Sequence, residues 1–197
     1  MALLVMAAAP EELGSLDGAV VGVGPVVAAA STARILAERN GSENPAKHVD
    51  RVVLIGTAGA YPGGPAIGQA VAASRVALSW GVAAMGLGYV PRAPKPVECD
   101  PTILAQLDVP QHNVLTVGAI TTDKTLARRI ADGYTVEHLE AFGVAWACSQ
   151  AGVPFAAVLG VTNDVGPDAH VQWLTHRDAA QQAARDAIAP LLNAEGT

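Results

Sequence analysis

Residues 158–173 read VLGVTNDVGPDAHVQW: an apolar run that halts at three small polar residues, Thr162, Asn163 and Asp164, before Val165, Gly166 and Pro167. An aliphatic, β-branched run bounded by Gly or Pro reads as a buried strand. FAAVLGV (155–161) supplies that strand here, and LLVMAAA (3–9), VVLIG (52–56) and VLTVGAI (114–120) look alike. Helical patterns fall among them, at 25–40, 123–133, 135–152 and 176–193. Alternation of strand and helix predicts an α/β fold, a single three-layer domain over residues 1–197 with helices on both sides of a twisted central sheet. Residues 58–79 carry two short strand candidates joined by a Gly/Pro turn, so the sheet is expected to be mixed. The proline-rich stretch 90–110 lacks periodicity and reads as a long surface loop, a candidate lid over a site.

Composition narrows the function classes. Hydrophobic residues make up 51% of the chain and charged ones 15%, yet no apolar run nears the roughly 20 residues that a bilayer requires. So sparse a charge suggests that part of the surface is buried in a homo-oligomer. A net charge of −6 without any Lys/Arg cluster argues against nucleic acid as a partner. The opening MALLVMAAAP has no basic flank and runs at once into Glu11 and Glu12, which favours a first strand over a signal peptide and a cytoplasmic location. Cys99 and Cys148 lie far apart with no His in ligand spacing, so both are expected to be buried thiols, with no disulfide, metal or cofactor.

In open α/β sheets, ligands bind beyond the carboxyl ends of the strands. Four spots there could carry chemistry. Glu11 and Glu12 follow the first strand, either as acids favoured in a helix's first turn or as a carboxylate aimed into the crevice. Gly22 and Gly24 precede a helix, but Val27 replaces the third glycine of a dinucleotide fingerprint, so a tight turn with close backbone approach is the better reading. Gly56, Thr57, Ala58 and Gly59 form either a plain turn or a concave set of N–H groups for an anion or hydroxyl. Glu137 and Glu140, three apart, share one face of the 135–152 helix. A capping box would explain Glu137, whereas Glu140, entering the apolar AFGVAWA, is costly without a partner. The five histidines form no ligand set; His170 and Trp173 attract notice only as neighbours of Asn163 in the loop that follows it.

Together, in order, the segments AAAPEEL, GVGPVVAAASTARIL, VVLIGTAGAYPGGPAIGQAV, VEHLEAFGVAWACSQAGVPFAAV and VTNDVGP resemble the nucleoside phosphorylase and nucleosidase superfamily. The likeness runs through most of the chain. Among its branches the futalosine hydrolases share most, through the AGAYPG turn, the V-E-x-x-E helix and the N-x-V-G-P ending. This resemblance implies roles. Glu12 would orient or deprotonate the attacking water, and Thr57 and Gly59 would contact water or substrate. Leu139 would pack on the sugar, Glu140 would hold the ribose hydroxyls, and Thr162, Asn163 and Asp164 would read the base.

Where adenine-specific relatives carry Asp, this chain has Asn163. A neutral amide donates to O6 or N7 of a 6-oxopurine without needing a proton. Phosphate would need Arg or Lys forks, and Leu54 stands where bacterial phosphorylases of the family place an Arg. The resemblance therefore implies an N-ribosyl hydrolase of a 6-oxopurine nucleoside, above all futalosine, as a step towards menaquinone. Alternatives are a methylthioadenosine/adenosylhomocysteine nucleosidase, a purine nucleoside phosphorylase, or a catalytically silent nucleoside-binding protein. The 5′ pocket has only Trp80, Tyr89 and Trp173 as aromatic candidates.

Overall fold

The computed structural model describes residues 2–193. In chain order the elements are β1 (Leu3–Ala7), α1 (Pro10–Leu13), β2 (Ala19–Val20), α2 (Pro25–Asn40), β3 (Arg51–Ala60), β4 (Ala70–Leu78), α3 (Gly81–Ala84) and β5 (Val97–Glu98). There follow α4 (Pro101–Leu104), β6 (Gln111–Thr116), α5 (Lys124–Ala131), β7 (Val136–His138), α6 (Ala141–Ala151), β8 (Phe155–Asp164), α7 (Ala169–Ala187) and α8 (Ala189–Asn193).

Strand β3 organises the sheet. β8 pairs with it in parallel from Val52 to Ala60, filling one flank. The other flank is shared: β1 runs parallel beside Arg51–Leu54, and β7 comes back antiparallel beside Gly59 and Ala60. These two strands approach end-on and leave Gly56 and Thr57 without a strand partner on that side. β8 also pairs antiparallel with β4, β4 pairs parallel with β6, and β6 pairs parallel with β7. The circuit β3, β8, β4, β6, β7 closes on itself, which leaves few free edges. The sheet is mixed and flanked by helices, as expected.

One irregularity aims the site. Along the β3–β8 ladder Ala58 pairs with Val161 but Gly59 pairs with Asn163. Thr162 is the extra residue of a β-bulge, a device that redirects the side chains after it. Its hydroxyl lies 3.1 Å from the Ala58 carbonyl and 2.7 Å from Asn163 Oδ1, and it is fully buried.

Helices cover both faces. α2 packs on α6, which lies over β4, β6 and β8, while α7 lies against β8 and β3. That contact depends on Gly160, where a Cβ would fall 2.0 Å from the Ala180 carbonyl oxygen of α7. Between the layers sits an aliphatic core built on Val52–Ile55 and Ala156–Leu159. Both cysteines are free and buried, and burial pushes each thiol up to about 12. Among the described residues, no helix is long and apolar enough to cross a membrane.

Three expectations need correction. The helix expected over 135–152 begins only at Ala141, because Val136–His138 form β7. Glu137 and Glu140 therefore do not share a helical face; tertiary pairing of a β-compatible tripeptide with β3 and β6 overrides the local helical pattern. The final helix starts at Ala169, seven residues before the expected 176, so His170 and Trp173 are helical rather than in a loop. Gly166 and Pro167 make the turn, and Asp168 takes the N-cap position. It also breaks at Ile188, and α8 begins at Ala189 with Pro190 in its first turn. Finally, residues 90–110 are not a lid on this cleft. β5 adds to β4, and Asp100 N donates to Phe155 O at the start of β8, the far end of the strand from the site.

Candidate active site

A cleft of about 670 Å³ opens where β1, β3, β7 and β8 end or bend, a volume in the usual range for a small-molecule site. Glu12, Thr57, Gly59, Leu139, Glu140, Thr162 and Asn163 all line it. These residues come from four stretches of chain. Asp164 does not: it is exposed and faces a separate small groove with Lys124 and Arg128. The correction follows from the bulge, which turns Asn163 inward and its successor outward. Trp80 and Tyr89 are exposed and do not line the cleft; Trp173 does.

Glu12 fills the gap between β1 and β7. Pro10 starts the four-residue α1, and from its third position Glu12 reaches back so that Oε2 accepts Ala8 N (3.0 Å) and Ala9 N (3.2 Å). Oε1 accepts Thr57 N at 3.2 Å, one of the amides that lacks a strand partner there. The helix-start reading and the crevice reading of this residue are thus both true. Burial raises its pKa above the usual carboxylate value, and the Glu140 charge adds to this; His138 and the Ala9 and Thr57 amides oppose it.

Glu140 caps α6 without bonding to its amides. Instead Oε1 accepts Gly24 N at 2.8 Å from the turn before α2, a use for the GVG turn that close backbone approach permits. Its carboxyl is also pushed up, chiefly by burial. Asn163 has its orientation set by neighbours. Oδ1 faces the Thr162 hydroxyl, and Nδ2 donates to Asp164 O at 3.1 Å, which leaves one amide hydrogen for a ligand.

Sequence reasoning overlooked Arg177 and assigned no role to Glu137, His138 or His170, which also line the cleft. Glu137 accepts the Tyr61 hydroxyl (2.8 Å) and Thr121 N (3.0 Å). Its charge and burial together drive the Tyr61 phenol far above the ordinary range, with desolvation the larger cause. His138 sits between the two acids, fully buried. From α7, His170, Trp173 and Arg177 present one face at helical spacing: His170 stacks on Trp173, and the Arg177 guanidinium carbon lies 5.1 Å over the Trp173 ring. Trp173 Nε1 donates to Thr57 Oγ1 at 3.2 Å. Spacing 170, 173, 177 was the available signal, hidden by the late helix start. Arg185 donates to the Glu11 and Glu12 carbonyls, anchoring α1 to α7. No group of three His, Cys, Asp or Glu among the described residues could hold a metal ion.

A mixed, closed sheet gathers two buried acids and a bulge-borne amide around one cleft, and a family model gives the class. The chain belongs to the phosphorylase superfamily, whose model matches residues 18–194. In particular, it is 31% identical over 194 residues to a futalosine hydrolase of Thermus thermophilus, covering 89% of this chain and 80% of that one. A methylthioadenosine/S-adenosylhomocysteine nucleosidase from Neisseria meningitidis, solved with methylthio-immucillin-A, superposes with a TM-score of 0.82 at 18% identity, over 98% of this chain and 99% of the other. A futalosine hydrolase mutant from Helicobacter pylori gives 0.82 at 13% identity, again over 98% and 99%. At such identities the structural matches establish the fold.

Proposed function

We propose that the protein is an N-ribosyl hydrolase of 6-oxopurine nucleosides, with futalosine the favoured substrate, acting in the cytoplasm in menaquinone formation. The observation that carries the substrate class is the Asn163 amide. With Oδ1 turned to Thr162, it offers an N–H to the cleft, the donor that O6 or N7 of an oxopurine accepts. Asp164, the residue that would restore an adenine-type acid, faces away.

In this reading Glu140 accepts from the ribose hydroxyls while Gly24 N holds its other lone pairs in place. Glu12 takes a proton from water as the water oxygen bonds to C1′. The C1′–N9 bond breaks, its electron pair passes into the purine, and the Asn163 N–H stabilises the charge gathering there. A base whose pKa is raised by burial suits this task near neutrality. Leu139 and Ile120 supply apolar wall.

Water is favoured over phosphate because Leu54 is a core residue, and Arg177 is the one Arg or Lys lining the cleft among the described residues. Its Nε is 3.4 Å from Asp178 Oδ1 and its plane covers Trp173. We further propose a homo-oligomer, since Val23 before α2, Val26 and Val27 in its first turn and Trp146 of α6 are exposed. Light scattering showing a monomer at micromolar concentration would oppose that.

The decisive test incubates purified protein with futalosine, inosine and methylthioadenosine, with and without phosphate. Hypoxanthine release independent of phosphate is expected. No base release from any of them sinks the hydrolase reading, and strict phosphate dependence replaces it with phosphorolysis.

A further inference from the structure

Glu137 is a buried acid to which the reaction scheme gives no part. It lies on β7, 5% exposed, and lines the cleft. Its Oε2 accepts the Tyr61 hydroxyl at 2.8 Å and its Oε1 accepts Thr121 N at 3.0 Å. Both partners are neutral, and together they occupy about half of the roughly four acceptor positions of a carboxylate. Serving them needs no charge. A glutamine would do as well, its oxygen accepting the amide and its NH2 donating to the phenol oxygen. A buried carboxylate served by neutral donors is costly, so the charge calls for a further donor from the cleft.

Strand register aims it. Glu137 pairs with Gly59 of β3, and Gly59 pairs on its other side with Asn163 of β8. Residues side by side across a sheet project to the same face. Tyr61, two residues after Gly59, meets Glu137 on that face. A Cβ at Gly59 would lie 2.9 Å from Asn163 Nδ2 and 3.0 Å from Val165 Cγ2, so the Asn163 amide leans over the glycine towards β7. With strands about 4.8 Å apart, the Cα atoms of Asn163 and Glu137 stand about 10 Å apart. Glycine leaves the floor between them bare. One wall of this span carries an N–H donor and the other a carboxylate that only accepts, which suits the polar edge of a flat heterocycle laid across Gly59.

We propose that Glu137 is the second base-reading residue, accepting the N1–H of a 6-oxopurine whose O6 or N7 takes the free Asn163 N–H. The inference rests on the reading of Asn163 as the donor to that base. A 6-oxopurine presents acceptors at O6 and N7 and a hydrogen at N1, whereas N1 of adenine is a bare lone pair. Against Glu137 that lone pair sets acceptor against acceptor. Asn163 alone discriminates by one bond; Glu137 adds a bond for the oxopurine and a repulsion for adenine, so selection works in both directions. The Tyr61 and Thr121 bonds fix the carboxylate beforehand, and little ordering is left for the ligand to impose.

Calorimetry with free bases separates this role from that of a mere anchor for Tyr61 and Thr121. Hypoxanthine, 1-methylhypoxanthine and adenine are titrated into the whole chain, as wild type and as Glu137→Gln. The wild type should bind hypoxanthine about 10- to 100-fold more tightly than either of the others, the scale of a hydrogen bond to a charged group. Glu137→Gln keeps both anchoring contacts. Its ratio of hypoxanthine to adenine affinity should fall about tenfold, because a neutral acceptor replaces a charged one and the repulsion of adenine N1 is gone. An anchor would weaken all three bases alike, so a ratio within about twofold of wild type overturns the proposal. So does wild-type protein that binds 1-methylhypoxanthine as tightly as hypoxanthine, a result that needs no variant to fold, or that binds no base at all. Because no readout involves turnover, selective base binding without nucleoside cleavage would count against the hydrolase reading alone, and cleavage with unselective base binding against Glu137 alone.

Discussion

Replacing Asn163 by Asp tests base reading directly. The buried amide makes two contacts, Oδ1 to the Thr162 hydroxyl at 2.7 Å and Nδ2 to the Asp164 carbonyl at 3.1 Å. A carboxylate keeps the first and turns the second into an approach of two acceptors. An unpaired buried polar group costs about 1–3 kcal/mol, so the ionised variant should be less stable by that order. Burial and the facing carbonyl raise the folded-state pKa of the new acid. The penalty is therefore absent below the unfolded Asp pKa of about 4, grows as pH rises through the folded value, and is full above it. The same change removes the donor that a 6-oxo group uses and supplies an acceptor for a 6-amino group. Losing one such bond is worth about 1–3 kcal/mol, or roughly 5- to 150-fold in kcat/KM. The assay is competition between inosine-type and adenosine-type nucleosides for each protein, followed by base release, with melting curves at pH 4 and pH 8. A preference ratio unchanged within about twofold of wild type, set against the range above, would refute the role given to Asn163.

Further outcomes follow from other contacts. Glu140→Gln should weaken ribose binding by about 1.5–3 kcal/mol, the scale of hydrogen bonds to a charged group, seen as a higher KM while the melting temperature stays near wild type. Gly160→Ala sets a Cβ against the Ala180 carbonyl of α7, and as backbone meets backbone the cost should be about 1–3 kcal/mol or more, read by thermal unfolding. Wild-type kcat/KM should decline as pH falls through the raised Glu12 pKa, because the protonated acid cannot take a proton from water; an activity flat from pH 4 to 8 would contradict the role of Glu12. Trp173→Phe keeps the ring but drops the N–H to Thr57, a loss of about 0.5–1.5 kcal/mol, measurable as a reduced affinity for the nucleoside by calorimetry.

Much of this architecture was legible in the chain. Strands and helices alternate with a plain change of period, and the polar residues Thr162 and Asn163 stand out because nothing else in FAAVLGV is polar. Glu12 and Glu140 were conspicuous for the opposite reason, as acids set against apolar neighbours. What escaped depends on pairing between distant segments. VEH has no strand signature of its own, and becomes β7 only because β3 and β6 offer it edges. Without β7 the place of His138 in the cleft wall is invisible. Likewise a bulge is one residue of register, which alternation of side chains cannot announce. Asp164 shares only adjacency with Asn163, and adjacency does not tell inward from outward.

The end-on meeting of β1 and β7 has a spectroscopic corollary. In an ordinary sheet the Thr57 amide would be shielded by a neighbouring strand; here its acceptor is a side chain carried by one turn of helix. Its hydrogen exchange should therefore track local opening of α1 rather than global unfolding, slow while Glu12 is seated and fast when it swings out. A single backbone proton would serve as a gauge of whether the water-handling carboxylate is in place, readable in solution before any ligand is added.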